Sequence, residues 1–193
     1  MGYDSAATRA RLLDAALEEF VNHGLAGARV DRISVAASAN KQAIYAYFGS
    51  KDALFDAVLD DRLRDLADLV PFTPADLPGY TGVLFDQLVE DPGLVRLTQW
   101  KALERPGAAP AELSAHTDKA DALAAVYGVT RETGMDALML TLGVALAWST
   151  TAPEIRHVDG GPERRRRLRH RAAVVAAAEA ITAAVLGRAP HPA

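Results

Sequence analysis

The sequence predicts an all-α protein that begins with a helix-turn-helix and continues into a larger helical region. Apolar residues recur at three- and four-residue spacing along most of the 193-residue chain, which is the spacing of one helix face. Clusters of proline and glycine separate these stretches, as turns between helices do. Residues 29–51 predict two short helices around a tight turn, followed by a second turn that opens another helix.

The first helix is predicted over residues 8–24. Gly24 is a suitable stop, because glycine is common just past the C-terminus of a helix. Five apolar side chains share one face of this helix: Leu13, Ala16, Leu17, Phe20 and Val21.

The helix-turn-helix is predicted from two apolar spines. Val30, Ile33 and Ala37 form the first spine, and Ile44 and Phe48 form the second. Each spine therefore belongs to a short helix that packs one face and leaves the other to solvent.

The turns around the second short helix carry their own signals. The sequence Ser-Ala-Asn at 38–40 ends the first spine, and Asn40 is a good N-cap because its side chain can accept a free backbone N–H. Ser50 can cap the next helix in the same way. Asp52 then lies near the positive end of that helix.

Four polar side chains surround the second spine, at positions from which they can contact DNA. Lys41, Gln42, Tyr45 and Tyr47 carry donors that reach phosphates and base edges. In a helix-turn-helix, the second helix enters the major groove with its N-terminal residues on base edges. The segment therefore indicates double-stranded DNA as a partner.

The order of these segments resembles the DNA-binding domain of the TetR family of bacterial transcriptional regulators. The similar stretch covers the first fifty-odd residues and reads TRARLLDAALEEFVNHG, then VDRISVAA, then NKQAIYAYF followed by GSKDALF. The pattern Ile-Tyr-x-Tyr-Phe before Ser-Lys-x-x-Leu-Phe is specific. The resemblance implies a helix-turn-helix DNA-binding domain at 1–51 and a helical effector-binding and dimerisation domain at 52–193.

The resemblance also implies individual DNA contacts. The two residues that open the recognition helix would approach bases or phosphates, and the tyrosines would contact the sugar-phosphate backbone or thymine methyls. The starts of the second and fourth helices would each hold a phosphate. The residues concerned are Arg29, Lys41, Gln42, Tyr45, Tyr47 and Lys51.

Two positions depart from the family pattern. Arg29 stands where the family usually has a hydroxyl residue; it cannot cap the helix, but it can pair strongly with phosphate. Ser38 stands where glycine is usual, and a positive φ is uncommon for other residues, so an altered turn is expected. Packing against the first helix is the alternative role for Tyr45 and Tyr47, and ordinary solvation is the alternative for the lysines.

The rest of the chain is predicted to be helical. The stretch 71–82, rich in proline and glycine, predicts a loop or two broken turns. The helix at 133–151 is apolar nearly all round and should be buried on most faces. The tail at 187–193 is predicted to be disordered. The helices are expected at 51–69, 83–90, 94–105 after a start at 91–93, 111–127, 133–151 and 164–186.

A homodimer is predicted from the last helix. Its small residues allow close helix–helix approach, and the resemblance implies that the last two helices pair with their two-fold mates as a four-helix bundle. A symmetric dimer fits a palindromic operator. Packing within the chain is the alternative for this stripe. The stripe consists of Val174, Ala178, Ile181 and Val185.

The resemblance further implies an effector pocket among the C-terminal helices. Aromatic side chains with a polar handle suit a mostly apolar pocket, so a small apolar or aromatic effector is expected. Plain core packing is the alternative, above all for the two tryptophans. The candidate lining residues are Phe85, Leu97, Trp100, Tyr127, Met139, Leu142 and Trp148.

Charge leaves two further interpretations open. The first 51 residues carry six basic and five acidic side chains, in a chain of net charge −4, so the DNA-binding part is only weakly basic. This weak basicity and the two departures keep one alternative function: a dimeric helical small-molecule-binding protein with weak or lost DNA binding. The arginine run at 163–171 resembles a nucleic-acid patch, but a solvated or salt-bridged helix start is the preferred interpretation.

An enzyme is not expected, and neither is a cofactor or a metal. The five histidines lack metal-ligand spacing, there is no cysteine, and phosphate-loop and nucleophile motifs are missing. No signal peptide and no apolar run of membrane-spanning length are found. The expected compartment is the cytoplasm.

Overall fold

The computed structural model describes residues 2–157 and 160–187, with side chains from residue 5 onward. In these residues the chain forms α-helices joined by short turns, with no β-strand, so the predicted all-α class is confirmed. The helices are α1 (Gly2–Gly27), α2 (Val30–Ala36), α3 (Lys41–Phe48), α4 (Lys51–Leu69), α5 (Leu77–Glu90), α6 (Pro92–Glu104), α7 (Pro110–Tyr127), α8 (Arg131–Thr150), α9 (Pro153–Arg156) and α10 (Glu163–Ile181).

The described residues divide into two compact units. The first unit holds the chain up to Leu66 together with Pro92–Gly107, and the second holds 67–91 and the described residues from 108 onward. Most of α4 and all of α6 therefore pack with the first three helices. The packing boundary does not coincide with the functional boundary after residue 51, which stays a prediction.

The core of the first unit lies between α1, α4 and α6. The rings of Phe20 and Phe55 meet edge-to-face with their centroids 5.0 Å apart, and both are fully buried. Leu97 of α6 is buried in the same cluster. Trp100 packs against it and donates its indole N–H to the carbonyl of Val21 at 3.3 Å. Two of the predicted pocket residues thus belong to the core that supports the helix-turn-helix.

One buried cluster of the second unit lies between α5, α8 and α10. It consists of Phe85, Trp148 and Val174, one residue from each helix. The His170 ring lies 5.3 Å from the Trp148 ring and 5.7 Å from the Phe85 ring. α7 packs along α8, where Gly134 allows the close approach: a Cβ there would meet the backbone oxygen of Ala120 at 2.5 Å.

The prediction of a loop over 71–82 is wrong for its second half, because α5 already begins at Leu77. Asp76 caps this helix through a 2.9 Å hydrogen bond from the backbone N–H of Gly79. Pro78 is tolerated since the first turn of a helix needs no N–H from it. A single 3₁₀ turn at Pro74–Asp76 precedes α5.

The burial predicted for the 133–151 helix is found on one face only. The buried positions of α8 include Ala137, Thr141 and Trp148, whereas Met139 and Leu140 are 54% and 49% exposed. The reason is that neighbouring helices of the described chain cover one side of α8 and leave the other open. Its apolar character all round therefore provides an uncovered apolar face.

The C-terminal end differs in detail from the prediction. The last helix is α-helical to Ile181 and then continues as a π-helical turn over Thr182–Leu186. The predicted disordered tail lies, apart from Gly187, outside the described residues. Among the helices that the structure describes, none has both the length and the apolar composition to cross a membrane.

Candidate nucleic-acid interface

The turn between α2 and α3 has the tight geometry that the sequence predicts. Ser38 adopts a φ of 49°, so a serine takes the left-handed conformation that glycine would adopt more easily. The backbone N–H of Ala39 reaches back to the carbonyl of Ser34 at 2.9 Å. Asn40 caps α3 by accepting the backbone N–H of Gln42 at 3.0 Å, as predicted. Serine in place of the usual glycine at position 38 therefore still allows the tight turn between α2 and α3.

The two faces of α3 separate packing from recognition. Ile44 is fully buried and Phe48 half-buried, so these side chains anchor the helix. Lys41 and Gln42 are exposed at its N-terminal turn, and Tyr45 is 46% exposed on the following turn. The exposed side chains offer an ammonium, an amide and a phenol on the surface that a major groove would meet.

Tyr47 has a second role besides any contact with DNA. Its hydroxyl donates to the Ser5 hydroxyl of α1 at 3.1 Å, and its ring, 38% exposed, lies beside Phe48. The Arg9 guanidinium carbon lies 5.5 Å from the centroid of the Phe48 ring. Tyr47 therefore joins α3 to α1, which is the packing alternative raised for it above.

The start of α4 is capped as predicted, but its lysine is already engaged. The Ser50 hydroxyl accepts the backbone N–H of Ala53 at 3.0 Å. The Lys51 ammonium donates to the carbonyls of Ala28, at 3.1 Å, and Ala26, at 3.5 Å. Lys51 thus stabilises the end of α1, and one of its three donors would have to serve a phosphate at the same time.

The start of α2 is held by Glu19, a residue that the sequence analysis missed. Arg29 has no capping side chain, but its backbone N–H donates to Glu19 Oε1 at 2.7 Å. Arg32 donates to the same carboxylate from Nε, at 2.8 Å, and from Nη2, at 2.5 Å. Burial of this 9% exposed carboxyl raises its pKa, but the bonds from Arg32 and Arg29 outweigh burial, so the pKa of Glu19 lies below its usual value.

A signal for Glu19 was present in the sequence. It lies three residues after Ala16 and beside Phe20, on the apolar face of the first helix. An acid on a buried face needs a partner, since an unpaired buried charge is costly. Arg11 is a second missed residue: its Nε donates to the carbonyl of Ala37 at 3.2 Å and so holds the turn.

Replacement of Glu19 by glutamine should destabilise the protein at neutral pH by about 1–2 kcal/mol, because the charge-assisted bonds to α2 are weakened. A carboxyl with a lowered folded pKa stabilises the fold above its unfolded pKa, and that contribution disappears as the pH falls through the folded value. Unfolding by urea at neutral pH and at about pH 3 should therefore show a difference that shrinks in acid. The matched control is Glu18→Gln, on the exposed neighbour. Equal losses in the two variants would contradict the assignment.

Comparison with known families decides the identity of the fold. The family described as "Bacterial regulatory proteins, tetR family" matches residues 12–58, which contain α2, α3 and the start of α4. The description "Tetracyclin repressor-like, C-terminal domain" matches residues 76–179, the larger part of the chain. The chain belongs to the TetR family.

Similar proteins cover nearly the whole TetR fold. The HTH-type transcriptional repressor SCO4008 of Streptomyces coelicolor is 41% identical over 162 residues, which cover 80% of this chain and 84% of that protein. The crystal structure of SCO4942 from the same organism has a TM-score of 0.76 and 36% identity, over 90% of this chain and 97% of that one. A TetR-like regulator from Rhodococcus sp. RHA1 has a TM-score of 0.65 at 18% identity, over 92% and 96% of the two chains, and shows the fold alone.

Family membership fixes the class of function. The chain is a DNA-binding transcriptional regulator of the TetR family, and this family consists of regulators rather than enzymes. The small excess of basic residues in the first 51 positions and the departures at Arg29 and Ser38 are therefore features of a DNA-binding regulator. In this chain the Arg29 side chain does not cap α2, and Glu19 instead accepts the backbone N–H of Arg29 itself.

The TetR effector residues predicted from the sequence are divided between the two units. Leu97 and Trp100 belong to the first unit, whereas the other five belong to the second. Phe85 and Trp148 are buried with their rings edge-to-face, centroids 6.5 Å apart. Tyr127 and Leu142 are half-buried, and Met139 is exposed. Within the second unit, the structure brings Phe85 and Trp148 together.

The stripe predicted for the TetR dimer face is also divided. Val174 and Ala178 are 3% and 0% exposed within the single chain, so they have almost no surface to offer a partner. Ile181 and Val185 are half-buried. The alternative of packing within the chain therefore describes the first two residues. The exposed alanines of α10 and of the π-helical turn lie on the neighbouring face: Ala172, Ala173, Ala176 and Ala180 in α10, and Ala183 and Ala184 in the turn.

Proposed function

We propose that this regulator is a repressor whose homodimer binds a palindromic operator and is released by a small effector. The observation that carries the proposal is the exposed set at the helix-turn-helix. Arg29 stands free at the start of α2, while Lys41, Gln42 and Tyr45 are exposed on the first turns of α3. The repressor SCO4008, similar over most of its length, supports repression as the mode of action.

The contacts with DNA divide by chemistry. Arg29 is proposed to bind a phosphate, because its guanidinium has neither a hydrogen bond nor an ion pair within the part of the chain that the structure describes. Gln42 and Lys41 would read base edges or nearby phosphates, and Tyr45 would contact the backbone or a thymine methyl. Lys51 would add a phosphate contact while it keeps its bonds to the end of α1.

The dimer is proposed to form through α8 and α10. α8 exposes Met139 and Leu140, and α10 exposes Leu168 at 52% together with a run of alanines. Apolar groups of this size on two neighbouring helices are costly to leave in water. Two copies related by a two-fold axis would cover these faces and present two recognition helices to the two halves of a palindrome.

The effector is proposed to be apolar or aromatic and to bind in the second unit. Phe85, Trp148, Tyr127 and Leu142 supply aromatic and aliphatic surface on α5, α7 and α8. The effector would favour the conformation that does not bind DNA, which releases the operator by a shift of population. A shallow pocket of about 80 Å³ near Asp86 is too small for this ligand, since drug-sized sites are several times larger.

The DNA-binding proposal is tested by selection of genomic fragments with the purified protein, followed by footprinting at stated salt. A palindrome should be protected, and the Tyr45→Ala and Lys51→Ala variants should each weaken that protection. Light scattering on the same preparation should give the mass of a dimer at micromolar concentration. A monomer would contradict the proposed dimer. A dimer with no selected site at low salt would favour the alternative of a dimeric helical small-molecule-binding protein with weak or lost DNA binding.

The effector proposal is tested by tryptophan fluorescence and operator release together. The Trp100→Phe variant leaves Trp148 as the reporter, because the two tryptophans of the chain lie in different units. Apolar and aromatic compounds that quench or shift Trp148 emission should also release the selected operator. Release without any change in Trp148 emission would place the effector elsewhere.

A further inference from the structure

An ion pair joins the two helices of the helix-turn-helix at Lys41, a residue proposed to contact DNA. The Lys41 ammonium lies 2.7 Å from Asp31 Oδ1, which joins the start of α3 to the first turn of α2. Asp31 is 75% exposed and Lys41 48% exposed, so both groups are reached by solvent and by any ligand at this surface. The first cation of the recognition helix is thus already occupied by an anion of the protein.

The pair changes the charge that the surface offers to DNA. Arg32 is bound to Glu19, and the Lys51 ammonium is bound to two carbonyls. Because Asp31 pairs with Lys41, few basic side chains of the described helix-turn-helix remain without a partner in the protein. A phosphate that approaches Lys41 must displace Asp31 or lie close to its negative charge, and both options weaken binding.

The pair should weaken binding to unrelated DNA more than binding to the operator. Binding to unrelated sequences rests on phosphate contacts, so the loss of one cation per subunit removes a large share of it. A correct operator also offers base edges, where guanine accepts from lysine and cytosine can donate to a carboxylate. Exposed ion pairs contribute only about 0–1 kcal/mol, so such contacts can replace the pair.

We propose that Asp31 is a specificity-determining residue, which holds Lys41 and thereby lowers affinity for unrelated DNA more than affinity for the operator. The inference rests on the proposed contact between Lys41 and DNA. The pKa of Lys41 is raised by the hydrogen bond from its ammonium to Asp31, which agrees with an ammonium held in this ion pair. Support of the α2 start by an acid in its first turn is the purely structural alternative.

The test is a double-mutant cycle on the full chain, with fluorescein-labelled duplex DNA of scrambled sequence as the probe. Asp31→Asn should tighten binding to this duplex roughly three- to tenfold at low salt and steepen the salt dependence by about 0.9 per subunit. In the Lys41→Met background the same change should tighten binding less than in the wild-type chain and leave the salt dependence unchanged, because no ammonium is released; Asp60→Asn measures the effect of net charge alone. Asp60 is an exposed acid nine residues beyond Lys51 on α4, and its replacement alters net charge equally. Against the selected operator, Asp31→Asn should tighten binding less, so that the ratio of the two affinities falls.

The outcomes separate the inference from the proposal beneath it. If Asp31→Asn weakens binding, or acts equally with and without Lys41, Asp31 does not work through Lys41 and the inference is wrong. If Lys41→Met changes neither the affinity for the selected operator nor its salt dependence, the proposed contact of Lys41 with DNA is wrong instead. Thermal unfolding of each variant checks the structural alternative, which predicts a lower midpoint for Asp31→Asn. Asp31→Ser serves as a second uncharged variant at this position in the first turn of α2.

Discussion

Replacement of Gly24 by alanine is expected to destabilise the protein by about 3–5 kcal/mol. The residue has φ 66° and ψ −177°, a conformation that is essentially restricted to glycine and costs other residues about 1–3 kcal/mol. A Cβ atom would also lie 2.7 Å from Glu104 Oε1 and 2.8 Å from Trp100 Cε3. Trp100 is fixed by its bond to Val21, so the clash adds the cost of overpacking.

The measurement is thermal unfolding followed by circular dichroism, where the midpoint should fall by roughly 10 °C. Gly27→Ala is the matched control, because Gly27 has an ordinary φ and its Cβ would meet only His23 Cβ at 3.4 Å. That variant should be neutral or slightly stabilising, since alanine favours a helix more than glycine does. Similar midpoints for the two variants would show that the space around Gly24 is not closed as described.

Replacement of Arg29 by alanine is expected to weaken operator binding roughly ten- to hundredfold for a dimer, while the stability of the fold is preserved. The guanidinium is exposed, and the bond that holds the start of α2 comes from the Arg29 backbone, which alanine retains. Each lost phosphate contact should make the salt dependence shallower by about 0.9, hence by about two for the dimer.

Fluorescence anisotropy over a range of salt concentrations measures both effects. Arg164→Ala is the control, because Arg164 is an exposed arginine of α10 and belongs to the run interpreted above as a solvated helix start. Its removal should change neither affinity nor salt dependence. Comparable losses from Arg29 and Arg164 would instead support a second DNA-binding patch at the arginine run.

Local chemistry explains the parts of the structure that were predicted correctly. The N-cap at Asn40 and the cap at Ser50 depend on residues close in the chain. Gly24 is non-helical as expected of a stop, but α1 continues past the predicted end to Gly27. The apolar spacing of the helices is equally local, so the helix-turn-helix could be placed from the sequence. The start of α5 was missed because the proline and glycine after Asp76 were taken as breakers, although a capped first turn accepts both.

The hydrogen-bond partners that the site residues have within the protein could not be predicted, because those partners lie far away in the chain. Glu19 reaches Arg29 and Arg32 across ten and thirteen positions, and Lys51 reaches carbonyls twenty-three and twenty-five positions earlier. The sequence predicted Lys41 and Lys51 as cations that contact DNA. It did not show that each already has a partner within the protein.

The sequence by itself determined the helical class, the helix-turn-helix and its family, since helix spacing, caps and turn residues act within a few positions. The tertiary structure alone decided which face of each helix is covered. It placed Leu97 and Trp100 under the helix-turn-helix, buried Val174 and Ala178 within the chain, and left one side of α8 open. The physical reason is that burial depends on which helices pack together, and several faces of an apolar, alanine-rich helix can satisfy the same spacing rule.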